Sequence, residues 1–267
     1  MIDITSSQNP VIKEVRSLKN RKDREDKGLF FIEGAKIVEE ALASGAALTY
    51  AVMAESFEQG SCGHDTFRKI DAAGVRCYIV PDSLFDALGD TRTPQGILAV
   101  AEIKSPELRD ASFAEGLFVI LDSIRDPGNM GTIIRTADAA GFTGVIATAG
   151  CVDVYNPKVL RSTMGSVFHI PVYFQNDIIE IIMLLKSKGV RIVASHLSGG
   201  CSIYQTDMTV STALIIGSEA EGISKEAAAA ADQLVKIPMP GRAESLNASI
   251  AAGIMMYEAV RQRIKTG

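Results

Sequence analysis

Polar side chains that could bind and orient a ligand follow three apolar runs in the second half of the chain. Asn129 and Arg135 come after the run LFVILD, and Glu219 comes after ALIIG. Ser245 and Asn247 come after LVKI. Amide, carboxylate, hydroxyl and guanidinium groups can together hold a polar ligand and stabilise negative charge that develops on it. The chain contains neither G-x-G-x-x-G nor a P-loop motif, so a dinucleotide site and a P-loop site both lack their fingerprints.

The candidate residues must be positioned by the apolar runs that precede them. Four such runs end at Asp122, Ala194, Ile216 and Ile237, and each is typical of a strand buried on both faces of a parallel sheet. Ligands of open parallel sheets bind outside the carboxyl ends of the strands. We therefore expect the loops after these four runs to form one site. His196 follows the second run and is a candidate for lining that site, although a lone histidine after a strand is more often structural.

The histidines and cysteines indicate neither a metal site nor a disulfide framework. The three histidines are far apart in the sequence, and no cluster of His, Cys or Asp has metal-ligand spacing. The four cysteines are scattered and include no C-x-x-C pair, which indicates reduced and mostly buried thiols. The sequence therefore predicts a protein that needs no metal.

Alternating strand-like and helix-like patterns divide the chain into two α/β parts. Residues 1–104 predict a small α/β domain, and the polar residues 105–116 predict a linker. Residues 117–267 predict a second, larger α/β domain with a parallel sheet. In this domain Asp126, Pro127 and Gly128 predict a turn, and we expect Asn129 to cap the helix that follows.

Residues 10–27 predict a helix with one packed face and one highly charged face. A solvated face of mixed charge is the more frequent meaning of such a composition. The alternative is an RNA-binding strip, because a local basic face can neutralise phosphates even though the formal net charge is -5. The strip would consist of Lys13, Arg16, Lys19, Arg21, Lys22 and Arg24.

The N-terminal sequence MIDITSSQNP lacks the charged and apolar segments of a secretory signal. No apolar run approaches the roughly 20 residues that are needed to span a bilayer. Together with the unpaired cysteines, these features lead us to expect a cytoplasmic protein that does not bind membranes.

Three motifs in the second part resemble those of the SpoU/TrmH family of RNA 2′-O-methyltransferases, within the SPOUT superfamily. They are DPGNMGTIIR at residues 126–135, GSEAEGIS at 217–224 and IPMPGRAESLNASIA at 237–251. The family pattern has a β-branched residue in the third motif where this chain has Ala248, at a position that tolerates the change. The segments FIEGAKIVEEAL (31–42) and TRTPQGILAV (91–100) resemble the substrate-binding domain that precedes the catalytic domain in many family members.

The resemblance implies an α/β methyltransferase domain whose C-terminal segment forms a trefoil knot, although general rules of chain threading disfavour knots. It also implies S-adenosylmethionine bound in the knot loops, a homodimer whose site joins both subunits, and an RNA substrate. Because the N-terminal domain resembles that of rRNA-directed members, ribosomal RNA is preferred over transfer RNA. The residues that we expect to contact the cofactor are His196, Gly217, Ile237, Met239, Leu246 and Ala248.

The resemblance further implies that Asn129, Glu219, Ser245 and Asn247 orient the cofactor and the ribose, while Arg135 is often proposed as a general base. An arginine ordinarily loses its proton above pH 12, so using one as a base near neutrality costs about 7 kcal/mol. We therefore expect Arg135 to stay charged, bind the phosphate beside the target ribose and stabilise the developing alkoxide. Methyl transfer from a sulfonium requires positioning rather than a metal.

Two other functions are compatible with the same motifs. One is a non-catalytic RNA-binding or ribosome-assembly protein that keeps the fold, which a failure to bind S-adenosylmethionine would favour. The other is a 2′-O-methyltransferase that acts on transfer RNA.

Overall fold

The computed structural model describes residues 2–89, 94–197 and 199–264, and the chain folds into two compact units. One unit contains Met1–Lys104 and Asp153–Phe168, and the other contains Ser105–Val152 and His169–Gly267. The segment 153–168 thus lies within the predicted catalytic region in sequence but folds with the first unit. Residues 91–93, at the start of the segment TRTPQGILAV, lie outside the described residues.

The strands and helices have the following bounds. The strands are β1 (Ile2–Asp3), β2 (Leu29–Glu33), β3 (Leu48–Ala54), β4 (Arg76–Val80), β5 (Ile97–Glu102), β6 (Leu117–Asp122), β7 (Gly144–Thr148), β8 (Val172–Gln175), β9 (Arg191–Ser195), β10 (Cys201–Ser202), β11 (Thr212–Gly217) and β12 (Gln233–Lys236). The helices are α1 (Pro10–Ser17), α2 (Arg21–Lys27), α3 (Ala35–Ala43), α4 (Glu55–Glu58), α5 (Ser61–Ala72), α6 (Asp82–Asp86), α7 (Pro127–Ala139), α8 (Pro157–Thr163), α9 (Ile178–Ser187), α10 (Lys225–Ala230) and α11 (Ala248–Arg263).

The first unit is built on a five-stranded sheet with the order β1-β4-β3-β5-β2. Strands β3 and β4 pair in parallel, whereas β5 is antiparallel to both β3 and β2. Side chains alternate between the two faces of the sheet. Phe31 and Val100 therefore pack on one face with α1, while Phe30 and Ala99 pack on the other with α3, α5 and α8. The ring of Tyr155, just before α8, lies 4.6 Å from the ring of Phe30, so the segment 153–168 is part of this unit's core.

The single helix predicted over residues 10–27 is two helices, α1 and α2, with a turn between them. Asn9 caps α1 by accepting a hydrogen bond from the Val11 N–H at 2.9 Å. Helix α2 ends at Gly28, whose φ of 65° is the left-handed conformation that glycine adopts without strain. Five of the six candidate basic side chains are exposed or half-buried on these helices and the turn between them: Lys13, Arg16, Lys19, Arg21 and Lys22.

Arg24, the sixth member of the predicted strip, is buried with an exposed fraction of 2%. Its Nη1 donates to the backbone oxygens of Leu18 at 2.7 Å and Lys19 at 2.9 Å. Its Nε donates to Oδ2 of Asp153 at 2.9 Å, and Nη2 contacts the same oxygen. The guanidinium thus closes the turn between α1 and α2 and holds the start of the segment 153–168. This corrects the expectation that Arg24 belongs to an RNA-binding strip, because its donors are occupied inside the unit.

The second unit contains a seven-stranded sheet with the order β10-β12-β9-β11-β6-β7-β8, and every pair of neighbouring strands is parallel. All residues of β6 are buried, as its continuous apolar run predicts. Helices α9 and α10 pack together with the sheet, and helix α11 packs against α7 and β11. The predicted α/β fold with a parallel sheet is confirmed in this unit, and the trefoil knot stays a prediction.

The four strands that the candidate motifs follow are neighbours in this sheet. They are β12, β9, β11 and β6, and they end at Lys236, Ser195, Gly217 and Asp122. Because all four are parallel, their carboxyl ends lie at the same edge of the sheet, which we call the carboxyl edge. The four apolar runs are therefore parallel strands, and the loops that follow them start at this edge, as predicted.

Among the described residues, no helix has the length and apolar character needed to cross a membrane.

Replacing Asp153 with Ala should lower the free energy of unfolding by about 3–5 kcal/mol, because a buried guanidinium loses its carboxylate partner. Urea unfolding of the full-length protein, followed by circular dichroism, measures this change. The matched control is Glu25→Ala, which removes the carboxylate of an exposed pair with Arg21 on the same helix and should cost less than about 0.5 kcal/mol. Equal losses in the two variants would contradict the structural role of Arg24.

Candidate active site

Asn247 caps helix α11 and uses its side-chain oxygen to do so. Its Oδ1 accepts hydrogen bonds from the backbone N–H groups of Ser249 at 3.0 Å and Ile250 at 3.3 Å, and from the Ser249 hydroxyl at 2.6 Å. Pro238 and Pro240 cannot donate to a sheet ladder, so the strand ends before them and the cap can form. Because Oδ1 accepts these hydrogen bonds from the helix, the Nδ2 group of Asn247 is directed away from the helix and can donate to other residues.

The side chain of Asn129, in the first turn of helix α7, contacts that of Asn247. The cap of this helix is Asp126, whose Oδ1 accepts the Asn129 backbone N–H at 2.8 Å, and Pro127 occupies the first helical position. The expectation that Asn129 caps the helix is therefore wrong, since it is the third helical residue. Its buried side chain accepts from Asn247 Nδ2 at 3.0 Å and donates to Glu219 Oε1 at 2.9 Å.

Glu219 is the acceptor on which this cluster converges. Its Oε1 receives N–H groups from the side chain of Asn129, from the side chain of Asn247 and from the backbone of Ala248, the last at 3.4 Å. The N-terminus of helix α11 adds a favourable dipole. Its Oε2 accepts no hydrogen bond from residues 2–89, 94–197 or 199–264. The cluster therefore holds the carboxylate in a fixed orientation and leaves one oxygen available to a ligand.

A tight loop carries Glu219. The backbone N–H of Ser218 donates to Gly222 O at 3.1 Å, and the N–H of Gly222 donates back to Ser218 O at 2.9 Å. The chain doubles back so closely that a Cβ on Gly217 would lie 2.1 Å from the carbonyl carbon of Gly222. Only glycine fits at position 217, so this residue is required for the shape of the loop.

The residues predicted to hold a cofactor follow three adjacent strands, β9, β11 and β12. Five of them are half-buried at the carboxyl edge: His196, Gly217, Ile237, Met239 and Leu246. Half-buried apolar side chains can pack against a flat apolar part of a ligand, and backbone N–H and C=O groups of the loops can bind its polar substituents. Ala248 is buried, and its backbone N–H is directed to Glu219. No group of three or more His, Cys, Asp or Glu in the described part of the chain is arranged to hold a metal ion.

Arg135 and Ser245 do not join the cluster. Arg135 lies six residues beyond Asn129, about 9 Å along the axis of α7, and its side chain is exposed. Neither side chain forms a hydrogen bond or ion pair within residues 2–89, 94–197 and 199–264. Arg135 and Asp138, three residues apart on α7, form no ion pair in the part of the chain that the structure describes. Asp138 instead has its Oδ2 at 3.3 Å from Nδ1 of His169.

Asp126 and Asp122 support the cluster, although the sequence predicts only a turn at Asp126 and the end of an apolar run at Asp122. The signal for Asp126 was available, because Asp followed by Pro is a frequent start of a helix. For Asp122 the sequence predicts only the end of a strand. A charged residue that closes a fully apolar run is its only signal in the sequence.

The thiol of Cys151 has a structural role. Cys151 donates to the backbone oxygen of Leu121 at 3.2 Å, and burial raises the pKa of its thiol, so the sulfur stays protonated as a donor. Cys77 is also buried, Cys201 is half-buried and Cys62 is exposed, and all four are free.

Comparison with known proteins identifies the families of both parts of the chain. The SpoU rRNA Methylase family model matches residues 116–257, and the MRM3-like substrate binding domain model matches residues 9–99. The 23S rRNA (guanosine(2553)-2′-O)-methyltransferase RlmP of Bacillus subtilis is 35% identical over 257 residues, which cover 96% of this chain and 98% of that protein.

Solved structures show the same similarity. The AdoMet-bound rRNA methyltransferase from Sinorhizobium meliloti is 35% identical, with a TM-score of 0.88 and 98% of each chain covered. The SpoU methyltransferase AviRb from Streptomyces viridochromogenes, in complex with AdoMet, is 31% identical, with a TM-score of 0.87 and coverage of 96% of this chain and 99% of that one. The family predicted from the three motifs is confirmed: this chain belongs to the SpoU rRNA methylase family.

Proposed function

We propose that this protein transfers a methyl group from S-adenosylmethionine to a ribose 2′-hydroxyl of RNA, and that its substrate is ribosomal RNA. The observation that carries the proposal is the cluster of Asn129, Glu219 and Asn247, which three separate motifs bring together at the carboxyl edge of a parallel sheet. The B. subtilis relative is a 23S rRNA methyltransferase, which supports ribosomal over transfer RNA.

The loops after β9, β11 and β12 hold the cofactor in this proposal. Ile237, Met239 and Leu246 offer half-buried apolar surface for the adenine, and the backbone around Gly217 offers hydrogen bonds for the ribose. His196 lines the same edge, with its backbone N–H donating to Val235 O at 2.9 Å. When bound, S-adenosylmethionine supplies an activated methyl group, so the protein has to supply position rather than a metal.

Glu219 orients the methyl acceptor. Its Oε1 is occupied by three N–H donors, so Oε2 is the oxygen that accepts a hydrogen bond from the ribose 2′-hydroxyl. This hydrogen bond directs the 2′-oxygen toward the methyl group. The amides of Asn129 and Asn247 keep the carboxylate from rotating. The 2′-hydroxyl is the group that distinguishes RNA from DNA, which makes this contact selective for RNA.

Arg135 stays charged in the proposed reaction. Its guanidinium binds the phosphate beside the target ribose and stabilises the negative charge that develops on the 2′-oxygen. Within one chain Arg135 lies away from the cluster of Asn129 and Glu219, so a second copy of the chain is needed to bring an Arg135 to that cluster.

The proposed protein is accordingly a homodimer that forms along helices α7 and α11. These helices pack together, and Gly253 of α11 lies close to Thr136 of α7. The exposed side of α11 carries Ile250 and Tyr257, which are 54% and 51% exposed in a single chain. A partner that covers these apolar side chains would remove them from water and place its Arg135 at the composite site.

The first unit provides RNA affinity in this proposal through Lys13, Arg16, Lys19, Arg21 and Lys22. Most of this charge is accessible, although Lys19 Nζ donates to Gly89 O at 2.9 Å and Arg21 pairs with Glu25. The tRNA-directed alternative keeps the same chemistry and changes only the recognition by this unit.

Full-length protein should bind S-adenosylmethionine with EDTA present, and Gly217→Ala should lower the affinity at least about 10-fold, because the added Cβ forces the loop to open. Isothermal calorimetry measures both affinities. The matched control is Gly200→Ala, at a position with open space for a Cβ, and it should bind like the wild type. Folded wild-type protein that gives no binding heat would favour the non-catalytic alternative.

Total RNA from a strain without the gene should lack one ribosomal 2′-O-methyl group, which the wild-type gene restores.

In vitro, Arg135→Lys should keep measurable activity, well above that of Arg135→Ala, because Lys keeps the charge but loses the planar fork. The pH profile of the chemical step should run parallel for Arg and Lys at this position. A Lys profile shifted by several pH units would indicate a general base instead. Full activity of Arg135→Ala would refute both roles.

Replacing Lys13 and Lys22 with Ala should weaken RNA binding and reduce the slope of log affinity against log salt by about 1 for each phosphate that is no longer neutralised. Affinity for S-adenosylmethionine should not change. Filter binding at several salt concentrations measures the slope. Arg68→Ala, which removes an exposed cation from α5 of the same unit, serves as the control. An unchanged slope in the Lys13 and Lys22 variant would exclude these residues from the RNA surface.

A further inference from the structure

Asp122 ends β6 with a buried carboxylate. Its exposed fraction is 6%, and its Oδ2 accepts the Ser224 backbone N–H at 2.7 Å. Its Oδ1 lies 3.4 Å from the hydroxyl of Ser123, which is the donor. No Lys, Arg or His pairs with it in the ranges that the structure describes. Burying a carboxylate costs free energy unless hydrogen bonds compensate it. The short hydrogen bond from Ser224 provides this compensation.

The bond to Ser224 fixes one end of the loop that carries Glu219. Ser224 also caps α10, since its Oγ accepts the Ala227 N–H at 3.3 Å. The other end of the loop is Gly217, which pairs with Asp122 in the register of β11 and β6. Both ends of the segment 217–224 are therefore held at Asp122, one by strand pairing and one by the carboxylate.

The backbone that follows Asp122 leads to the other half of the cluster. Ser123 has a left-handed φ of 60°, and its N–H donates to Thr148 Oγ1 at 3.2 Å, which sets the direction of the loop. The loop then reaches Asp126, which caps α7 and binds the Asn129 N–H. Asp122 thus lies at the junction from which both loops start.

We propose that Asp122 is a positioning residue that closes a ring around the methyl-transfer site. The ring runs from Asp122 along the backbone to Asn129, across the 2.9 Å hydrogen bond to Glu219, along the backbone to Ser224 and back to Asp122. Every link is either a short covalent segment or a hydrogen bond. The ring fixes where Glu219 presents its free oxygen, and this inference rests on the proposed function of that oxygen.

The test compares Asp122→Ala with Asp122→Asn in the full-length protein. An amide oxygen can accept the Ser224 N–H as the carboxylate does, whereas Ala cannot. Asp122→Ala should lower kcat for methyl transfer by about 100-fold, with the KM for RNA unchanged, because a misplacement of about 1 Å has that effect. Asp122→Asn should recover kcat to within about 10-fold of the wild type. Hydrogen exchange by mass spectrometry should show faster exchange at residues 217–224 in the Ala variant only.

A second pair of variants removes the donor instead of the acceptor. Ser224 has a φ of −61°, which proline can adopt. Ser224→Pro therefore removes the N–H that Asp122 accepts and puts the proline Cδ in its place. Ser224→Ala loses the helix cap but keeps the N–H. The Pro variant should behave like Asp122→Ala, and the Ala variant should stay close to the wild type in kcat. This pair decides the question if Asp122→Ala does not fold.

Asp232→Ala is the control for general destabilisation. Its Oδ2 also accepts a backbone N–H, that of Ile192 at 2.8 Å, but at the opposite edge of the same sheet. A loss of kcat in Asp232→Ala equal to that in Asp122→Ala would overturn the proposal, as would wild-type kcat and exchange in Asp122→Ala. If the wild-type protein methylates no RNA, the proposed function fails, and the exchange comparison alone decides whether Asp122 closes the ring.

Discussion

The convergence of three N–H groups on one oxygen of Glu219 is the interaction around which the second unit is arranged. Two of these groups belong to amide side chains at helix starts, and the third is the backbone of Ala248 in the first turn of α11. They can meet only because β6 and β11 are paired and because α7 and α11 pack together. The geometry of the cluster therefore depends on the packing of these strands and helices.

The same arrangement explains which features of the site could be predicted from the sequence. Long apolar runs report strands buried on both faces, and parallel strands bring their following loops to one edge. The meeting of Asn129, Glu219 and Asn247 follows from those two facts and from the family motifs. The half-buried positions of Ile237, Met239 and Leu246 agree with the same logic, because each follows the end of a strand.

The features that the sequence did not predict are contacts between residues that lie far apart in it. Arg24 was grouped with its basic neighbours because composition cannot show that Asp153, 129 positions away, lies beside it. The sequence does not indicate the turn between α1 and α2, because charged residues with good helix propensity occupy both helices. The sequence predicts that Asp122 ends a strand but not that it binds Ser224, because the two residues are 102 positions apart. Tertiary hydrogen bonds of this kind carry no local periodicity.

The folding of the segment 153–168 with the first unit limits how this architecture can change. Where two domains are joined at a single point, recombination can exchange one of them without disturbing the other. Here the chain passes between units after Lys104, after Val152 and after Phe168. An exchange of the first 104 residues alone would remove the residues of the first unit against which Asp153, Tyr155 and Leu160 pack. A change in the first unit is therefore more accessible through point substitutions on its surface than through domain shuffling.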